Sequence, residues 1–452
     1  MRQTSVINDL LNAITDPAAL FGERRKPRRM GRDAVGEMIE AVLAGRGEAS
    51  SSERASEFLR TYRDLDYAGR TFVFRKLAAD YGPDADTLKG AAEAYVASPT
   101  QVAAKALQRA AEPRRVELFR RLNQVQGGTQ ALVAMRTELV ERFDHHPDLW
   151  VVDDDLKRLF TAWFNRGFLI LREIDWQTSA AILEKIIRYE TVHAITGWDD
   201  LRRRIDVPDR RLFAFFHPRL GDEPLIFVEV ALMDTIPGAI DPILAHERDT
   251  LAPAKANTAV FYSINNCQVG LRGISFGHFL IKQVAQDLAR EMANLKSFIT
   301  LSPMPGFAPW LRDALSRGDP VLSDVRTLVE PLLEGRAWLD DAAAVKAAEG
   351  VLMPLAAHYL TEARDGKGRL IDPVARFHLG NGARLEEINW SADNSPRGRA
   401  SSLGIMVNYA YVLSDVEDNH EAFVNDGEVA VSQSVQRLAR GAIPSGVPAS
   451  AP

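Results

Sequence analysis

Between residues 33 and 164 apolar side chains return at helical spacing. Val35, Met38, Ile39 and Val42 share one face, as do Leu118, Leu122 and Val125, and a period near 3.6 predicts amphipathic helices. The pattern is broken at Gly45 and Gly47, Gly82-Pro83, Pro99, Pro113 and Gly127-Gly128, and Ser or Asp residues ahead of several runs suit N-caps. These features predict an antiparallel helical bundle, with no fixed-period repeat and no cluster of chemically active residues.

The texture changes near Gly167. Runs rich in β-branched and aromatic residues occupy 168–174 (FLILREI), 211–217 (RLFAFFH), 225–232 (LIFVEVAL), 258–264 (TAVFYSI) and 297–301 (SFITL), a composition that predicts strands, with those at 211–217, 225–232 and 258–264 buried. The turn 220–224 (LGDEP) separates the second from the third. A helix is expected through Ile182, Ile186 and Ile187 and a long one over about residues 275–292. The expected fold class is therefore α+β: an all-helical bundle domain over 1–163, then a mixed domain over 164–452.

The chain of 452 residues exceeds what one hydrophobic core serves. Its 46% hydrophobic and 26% charged residues are those of a globular protein. A formal net charge of −6 argues against a non-specific nucleic-acid binder, which needs positive charge for the phosphate backbone. The basic run at 23–32 reads as solvated or as paired with an acidic surface of the same protein. With Cys267 as the only cysteine, no intramolecular disulfide or cysteine-based zinc site can form. The N-terminal 21 residues lack the apolar core of a secretory signal, and nowhere do about eighteen apolar residues run together. The tail 442–452 reads as frayed and does not end in Ser-Lys-Leu. The expected location is cytoplasmic, without a membrane partner, and the Ala- and Arg-rich composition suggests a bacterium.

Residues 261–282 run from a strand through a loop with Gly270 and Gly273 into an amphipathic helix. Unpaired N–H groups at the positive end of a helix dipole receive phosphates, and glycines let the backbone approach the anion. A connecting turn is the alternative reading. The layout is similar to the acyl-CoA pyrophosphate loop of the N-acetyltransferase-like (GNAT) fold, although Gln268 preceding Gly270 and Gly273 departs from that superfamily's usual spacing.

Longer words are more specific. ETVH at 190–193, YSIN at 262–265, GLRGI at 270–274, FLIK at 279–282 and LSPMPGF at 301–307 are followed by DPVA at 372–375, FHL at 377–379, NGA at 381–383, INW at 388–390 and GIMVNY at 404–409. In these words, and in their order, the sequence closely resembles the malonyl-CoA decarboxylase family. The resemblance implies a helical N-terminal domain, a GNAT-like catalytic domain, and conversion of malonyl-CoA to acetyl-CoA and CO2. It also implies self-association as a dimer or tetramer. No metal or organic cofactor is expected, because the thioester is itself the electron sink. No HExxH, Cys/His cluster or pyridoxal motif is present.

His378 matches the family's catalytic histidine and is the expected proton donor. Ser302 matches the catalytic serine, binding the malonyl carboxylate or thioester or else orienting His378; a serine supporting the turn before Pro303 is the bland alternative. Tyr411 corresponds to a tyrosine near the family's active site, and a core tyrosine is the equal alternative. Asn265 and Gln268, like Asn266, could offer amides to the pantetheine or carbonyl. The segment Gly270, Arg272, Gly273, Ile274, Ser275, Phe276, Gly277 and His278 is expected at the CoA phosphates, with Arg272 as charge partner. Ser275 stands where relatives have an acidic residue. Cys267 reads as a small buried residue, Lys282 as a helix residue with its head in water, and the acidic triplet Asp153, Asp154 and Asp155 as an N-cap with favourable first-turn charge. Two other readings stay open: an acyl-CoA-dependent acyltransferase of the same fold, or a non-catalytic acyl-CoA sensor.

Overall fold

The computed structural model describes residues 32–45, 48–274, 280–335 and 337–441. The expectations for the basic run up to residue 31, for Ser275, Phe276, Gly277 and His278, and for the tail from 442 lie outside them. The chain divides into two compact units, Met1–Ala162 and Trp163–Pro452.

The described part of the first unit is built from helices, beginning with Arg32–Ala44 and ending with Trp150–Trp163. Its core gathers the apolar stripes, including Ile39, Val42, Phe74, Phe119, Leu122 and Phe160, all fully buried. The break at Gly127-Gly128 has two causes. Gly127 lies in the left-handed region with φ 70°, and a Cβ on Gly128 would stand 1.9 Å from the Leu122 carbonyl oxygen. The acidic triplet has a different role from the expected cap. Asp153 and Asp155 turn inward and accept from Arg136 Nε and Arg115 Nε, each at 2.7 Å. Pairing lets these charges stay buried, since a lone one there would cost several kcal/mol, of order 3–5.

One eight-stranded sheet organises the second unit. Its strands are β1 (Ile170–Glu173), β2 (Arg210–Phe216), β3 (Pro224–Met233), β4 (Thr258–Asn266), β5 (Ser297–Thr300), β6 (Ser302–Pro303), β7 (Arg384–Asn389) and β8 (Met406–Ala410). Neighbours run β1-β2-β3-β4-β5-β8-β6, with β7 on the other edge of β8. The β4–β5 pair is parallel, whereas the other pairs are antiparallel. The five apolar runs account for β1 to β5. The short β6, the polar β7 and β8 escaped the apolar pattern. The unit is α+β, as expected from its mixed texture.

Alternation gives the sheet two different faces. A bulge where Glu229/Val230 of β3 meet Ser263/Phe261 of β4 brings Tyr262 onto the face of Ser263 and Asn265. On that face two apolar clusters, one around Phe216, Phe227 and Cys267 and one around Val260, Tyr262, Ile299 and Leu301, flank a polar belt. The belt holds Glu229, Ser263, Asn265, Glu190 and Arg204. Glu190 Oε2 accepts from Ser263 Oγ (2.7 Å) and Asn265 Nδ2 (2.8 Å), and Glu229 Oε2 accepts from Arg204 Nη1 (3.2 Å). Glu229 is completely enclosed, and its Oε1 has no hydrogen-bond partner among the described residues. Loss of water pushes its carboxyl up to about 8, against the pull of Arg204 and with a push from Glu190.

Because Glu229 binds its proton more tightly folded than unfolded, its contribution to stability is present below its ordinary value of 4.5 and is lost as pH rises toward about 8. Glu229→Gln should flatten that decline. Urea midpoints for both proteins at pH 5 and pH 8 measure it, and an equal drop in the two would refute the assignment.

Candidate active site

Three elements converge on the imidazole of His378. Asp372 caps the helix Pro373–Gly380, accepting from the Ala375 N–H at 2.7 Å, and Pro373 at the first helical position presets the backbone. His378 falls in the last turn, 2% exposed. Ser302 lies on β6 opposite Val407 of β8, and Tyr411 follows β8 with its N–H on the Phe298 carbonyl at 2.8 Å. Strand alternation puts Thr300 and Ser302 on the face opposite Ile299 and Leu301, away from the polar belt.

The side chains form a continuous hydrogen-bonded line. Tyr411 Oη is 2.9 Å from His378 Nδ1, and His378 Nε2 is 3.1 Å from Ser302 Oγ. Ser302 Oγ donates to Thr300 Oγ1 at 2.9 Å. The Tyr409 ring stacks on the imidazole, with centroids 4.5 Å apart and planes 22° from parallel. Burial alone pushes the imidazole down to about 3, and it pushes the Tyr411 phenol well above its ordinary range. A carboxylate-oriented triad would hold an imidazolium; here the partner on Nδ1 is a neutral phenol. The arrangement is suited to placing and passing a proton, and among the described residues no carboxylate orients the ring as in a nucleophilic triad.

A second connection ties the serine loop to the histidine helix. Tyr359 Oη donates to Asp372 Oδ2 at 3.0 Å, and a Cβ on Gly306 would lie 2.3 Å from that same phenol oxygen. Glycine at 306 thus lets the turn after Ser302 pack against the residue that braces the helix cap.

Other expected residues sit elsewhere. Asn265 uses all four of its hydrogen-bonding capacities inside the protein: Oδ1 accepts from Thr191 N–H (3.0 Å) and Oγ1 (2.8 Å), and Nδ2 donates to Glu190 and Ser263. No amide hydrogen is left for a ligand, so Asn265 holds the 190–191 turn. Gln268 likewise donates to the Pro224 carbonyl at 3.2 Å and to Glu223 at 3.4 Å. Gly270 and Ile274 are buried in the loop, Gly273 has φ 77°, and Arg272 is exposed. Lys282 lies on its helix and pairs with the exposed Glu417 at 2.6 Å. Cys267 is buried in an apolar cluster, and burial pushes its thiol up. Thr300, Tyr409, Tyr359 and Asp372 were missed as site residues. Thr300 was within reach of the sequence, because a strand ending in Ser302 puts residue 300 on the same face.

A buried imidazole between two hydroxyls, on an α+β scaffold, is an arrangement able to hold and pass a proton. Residues 167–447 match the family model described as "Malonyl-CoA decarboxylase C-terminal domain", and residues 81–164 match "Malonyl-CoA decarboxylase N-terminal domain". The chain belongs to the malonyl-CoA decarboxylase family. It is 35% identical over 420 residues to "Malonyl-CoA decarboxylase, mitochondrial" of Anser anser anser, covering 85% of this chain and 83% of that protein. A crystal structure of malonyl-CoA decarboxylase from Rhodopseudomonas palustris is 50% identical with a TM-score of 0.86, covering 90% of this chain and 100% of that one. The corresponding structure from Agrobacterium vitis is 49% identical with a TM-score of 0.84, covering 90% of this chain and 99% of that one.

Two outcomes follow from the geometry. In the ligand-free protein the His378 ring should show no titration between pH 5 and pH 8 by 15N NMR, since its folded pKa lies far below the ordinary 6.5. A midpoint near 6.5 would contradict its enclosure. Gly306→Ala should displace Tyr359 and its bond to the cap, lowering turnover by about a hundredfold, as small misplacements of catalytic groups do. Steady-state kinetics test this, and unchanged turnover would show that Tyr359 moves without consequence.

Proposed function

We propose that this protein converts malonyl-CoA to acetyl-CoA and CO2, with His378 and Ser302 as catalytic residues. The observation that carries the reading is the line Tyr411–His378–Ser302, which joins three residues distant in sequence within hydrogen-bonding reach.

Breaking the C–CO2 bond leaves its electron pair in a thioester enolate, so the thioester serves as electron sink and no other cofactor is required. One proton from solvent enters per turnover and ends on the α-carbon. No described charge of the protein steadies an imidazolium, and the malonyl carboxylate brings the missing counter-charge as it binds. His378 then takes up the proton and passes it from Nε2 to carbon. The Ser302 hydroxyl lies where it can hydrogen-bond the carboxylate or the thioester oxygen, where charge develops. Poor solvation favours losing a carboxylate as neutral CO2.

The topology supports the placement of the CoA moiety. β4 and β5 pair in parallel only as far as Phe261 and Thr300. β4 then continues to Asn266 and the glycine loop, while the chain after β5 turns to β8 and carries Ser302. The CoA loop and the serine thus leave the same carboxyl-terminal end of a parting parallel pair, where α/β sheets receive ligands. The GNAT-like arrangement and phosphate binding around Gly270 to His278 rest on this. The exposed Val96 and Val102 on the hairpin of helices Ala85–Ala97 and Gln101–Ala110, which bury no side chain, support self-association through the helical unit. The higher identity to the two bacterial structures than to the goose enzyme supports a bacterial, cytoplasmic protein.

Purified protein given malonyl-CoA and no acyl acceptor should yield acetyl-CoA and CO2 by mass spectrometry. An acyltransferase would leave the substrate intact or release free CoA, and a sensor would bind without turnover. Ser302→Ala and His378→Ala should each lower turnover at least about a hundredfold with CoA affinity little changed, the usual cost of lost acid–base or oxyanion help.

A further inference from the structure

The edge between β5 and β8 departs from a regular ladder beside the imidazole. Ile299 pairs with Ala410 and Ser302 with Val407, but between them side chains take over the ladder's bonds. The Tyr409 N–H goes to Thr300 Oγ1 at 3.1 Å, and the Thr300 carbonyl accepts from Asn408 Nδ2 at 2.8 Å. Thr300 and Asn408 are both wholly buried, and Asn408 Oδ1 is held by Asn389 Nδ2 at 2.6 Å. Threonine's branched β-carbon restricts its rotamers, and the Tyr409 N–H pins the one that is used.

The remaining bond to this hydroxyl decides a direction. Serine has one hydroxyl proton, and Ser302 gives it to Thr300 at 2.9 Å. Ser302 Oγ therefore offers only lone pairs to His378, and the imidazole must supply the proton in their 3.1 Å contact. A neutral imidazole carries a proton on one nitrogen only, so Nδ1 is left to accept from Tyr411 Oη at 2.9 Å. We infer that Thr300 is a positioning residue which, acting through Ser302, keeps the proton of His378 on Nε2, the nitrogen that faces the serine.

The kinetic consequence rests on the proposed decarboxylation. A ring that protonates an enolate must carry its proton on the nitrogen nearest the substrate. If Ser302 donated to Nε2 instead, that nitrogen would present a lone pair and would have to break this contact and collect a proton before it could act. Thr300 thus orients the line before substrate arrives, and it leaves Ser302 able to accept from Nε2 when the ring is charged.

Long-range 1H–15N correlation on the ligand-free protein distinguishes the two tautomers. Wild type and Thr300→Ser, which keeps the acceptor, should show Nε2–H. Thr300→Val, similar in shape but without the acceptor, should move toward Nδ1–H. Its kcat should fall at least about tenfold with KM within about threefold, while Thr300→Ser should recover kcat to within about threefold, a pattern of transition-state loss rather than weakened binding. An Nδ1–H ring in wild type, or wild-type tautomer and kcat in Thr300→Val, would overturn the inference. Should Thr300→Val not fold, the wild-type spectrum decides alone. The tautomer is read without substrate, so an Nε2–H ring in a protein that fails to turn over malonyl-CoA would sink the functional reading and leave this one standing.

Discussion

The His378 imidazole is enclosed among hydroxyl groups and a tyrosine ring, and among the described residues no charge offsets its loss of water. A ring in water would gain a proton near neutrality; this one resists it until about pH 3. The same desolvation that keeps the ring neutral would disfavour a carboxylate beside it, and only the attraction between the two charges would offset both costs.

The sheet divides its labour between faces. On one face, ion-paired and hydrogen-bonded groups such as Glu190, Arg204 and Glu229 form a belt between apolar clusters, and the belt fixes the chain around residues 190 to 194 against β4. On the other face, the groups around His378 are hydroxyls, and their interactions are short-ranged and directional. Separating charge from hydroxyls by the thickness of a sheet keeps carboxylates out of the hydrogen-bonded line at the imidazole. Asp372, which caps the histidine helix, is committed to that cap and to Tyr359.

Much of this was legible in the chain. The helical stripes of the first unit follow from periodicity, and the five apolar runs that became β1 to β5 from their β-branched and aromatic composition. His378 and Ser302 stood out through the words that contain them. The short β6, the polar β7 (RLEEIN) and β8 were not legible as strands, because each depends on a neighbour to complete its hydrogen bonds. Asn265 looked available in the sequence and proved fully engaged, since an amide's capacity shows in the sequence and its use does not. Asp153 and Asp155 looked like capping acids, yet they meet arginines 17 and 40 residues away.

The sequence by itself determined the helical and mixed halves, the family, and the residue types able to move a proton, because periodicity and local words are properties of neighbouring residues. Only the tertiary structure decided that His378 is neutral, that its partners are Tyr411 and Ser302, and that Thr300 directs the line. Those facts depend on desolvation and on contacts between residues more than 100 positions apart, such as the Tyr409 N–H on Thr300, 109 positions away. Burial and long-range pairing come into being only when the chain closes on itself, so no local pattern encodes them directly.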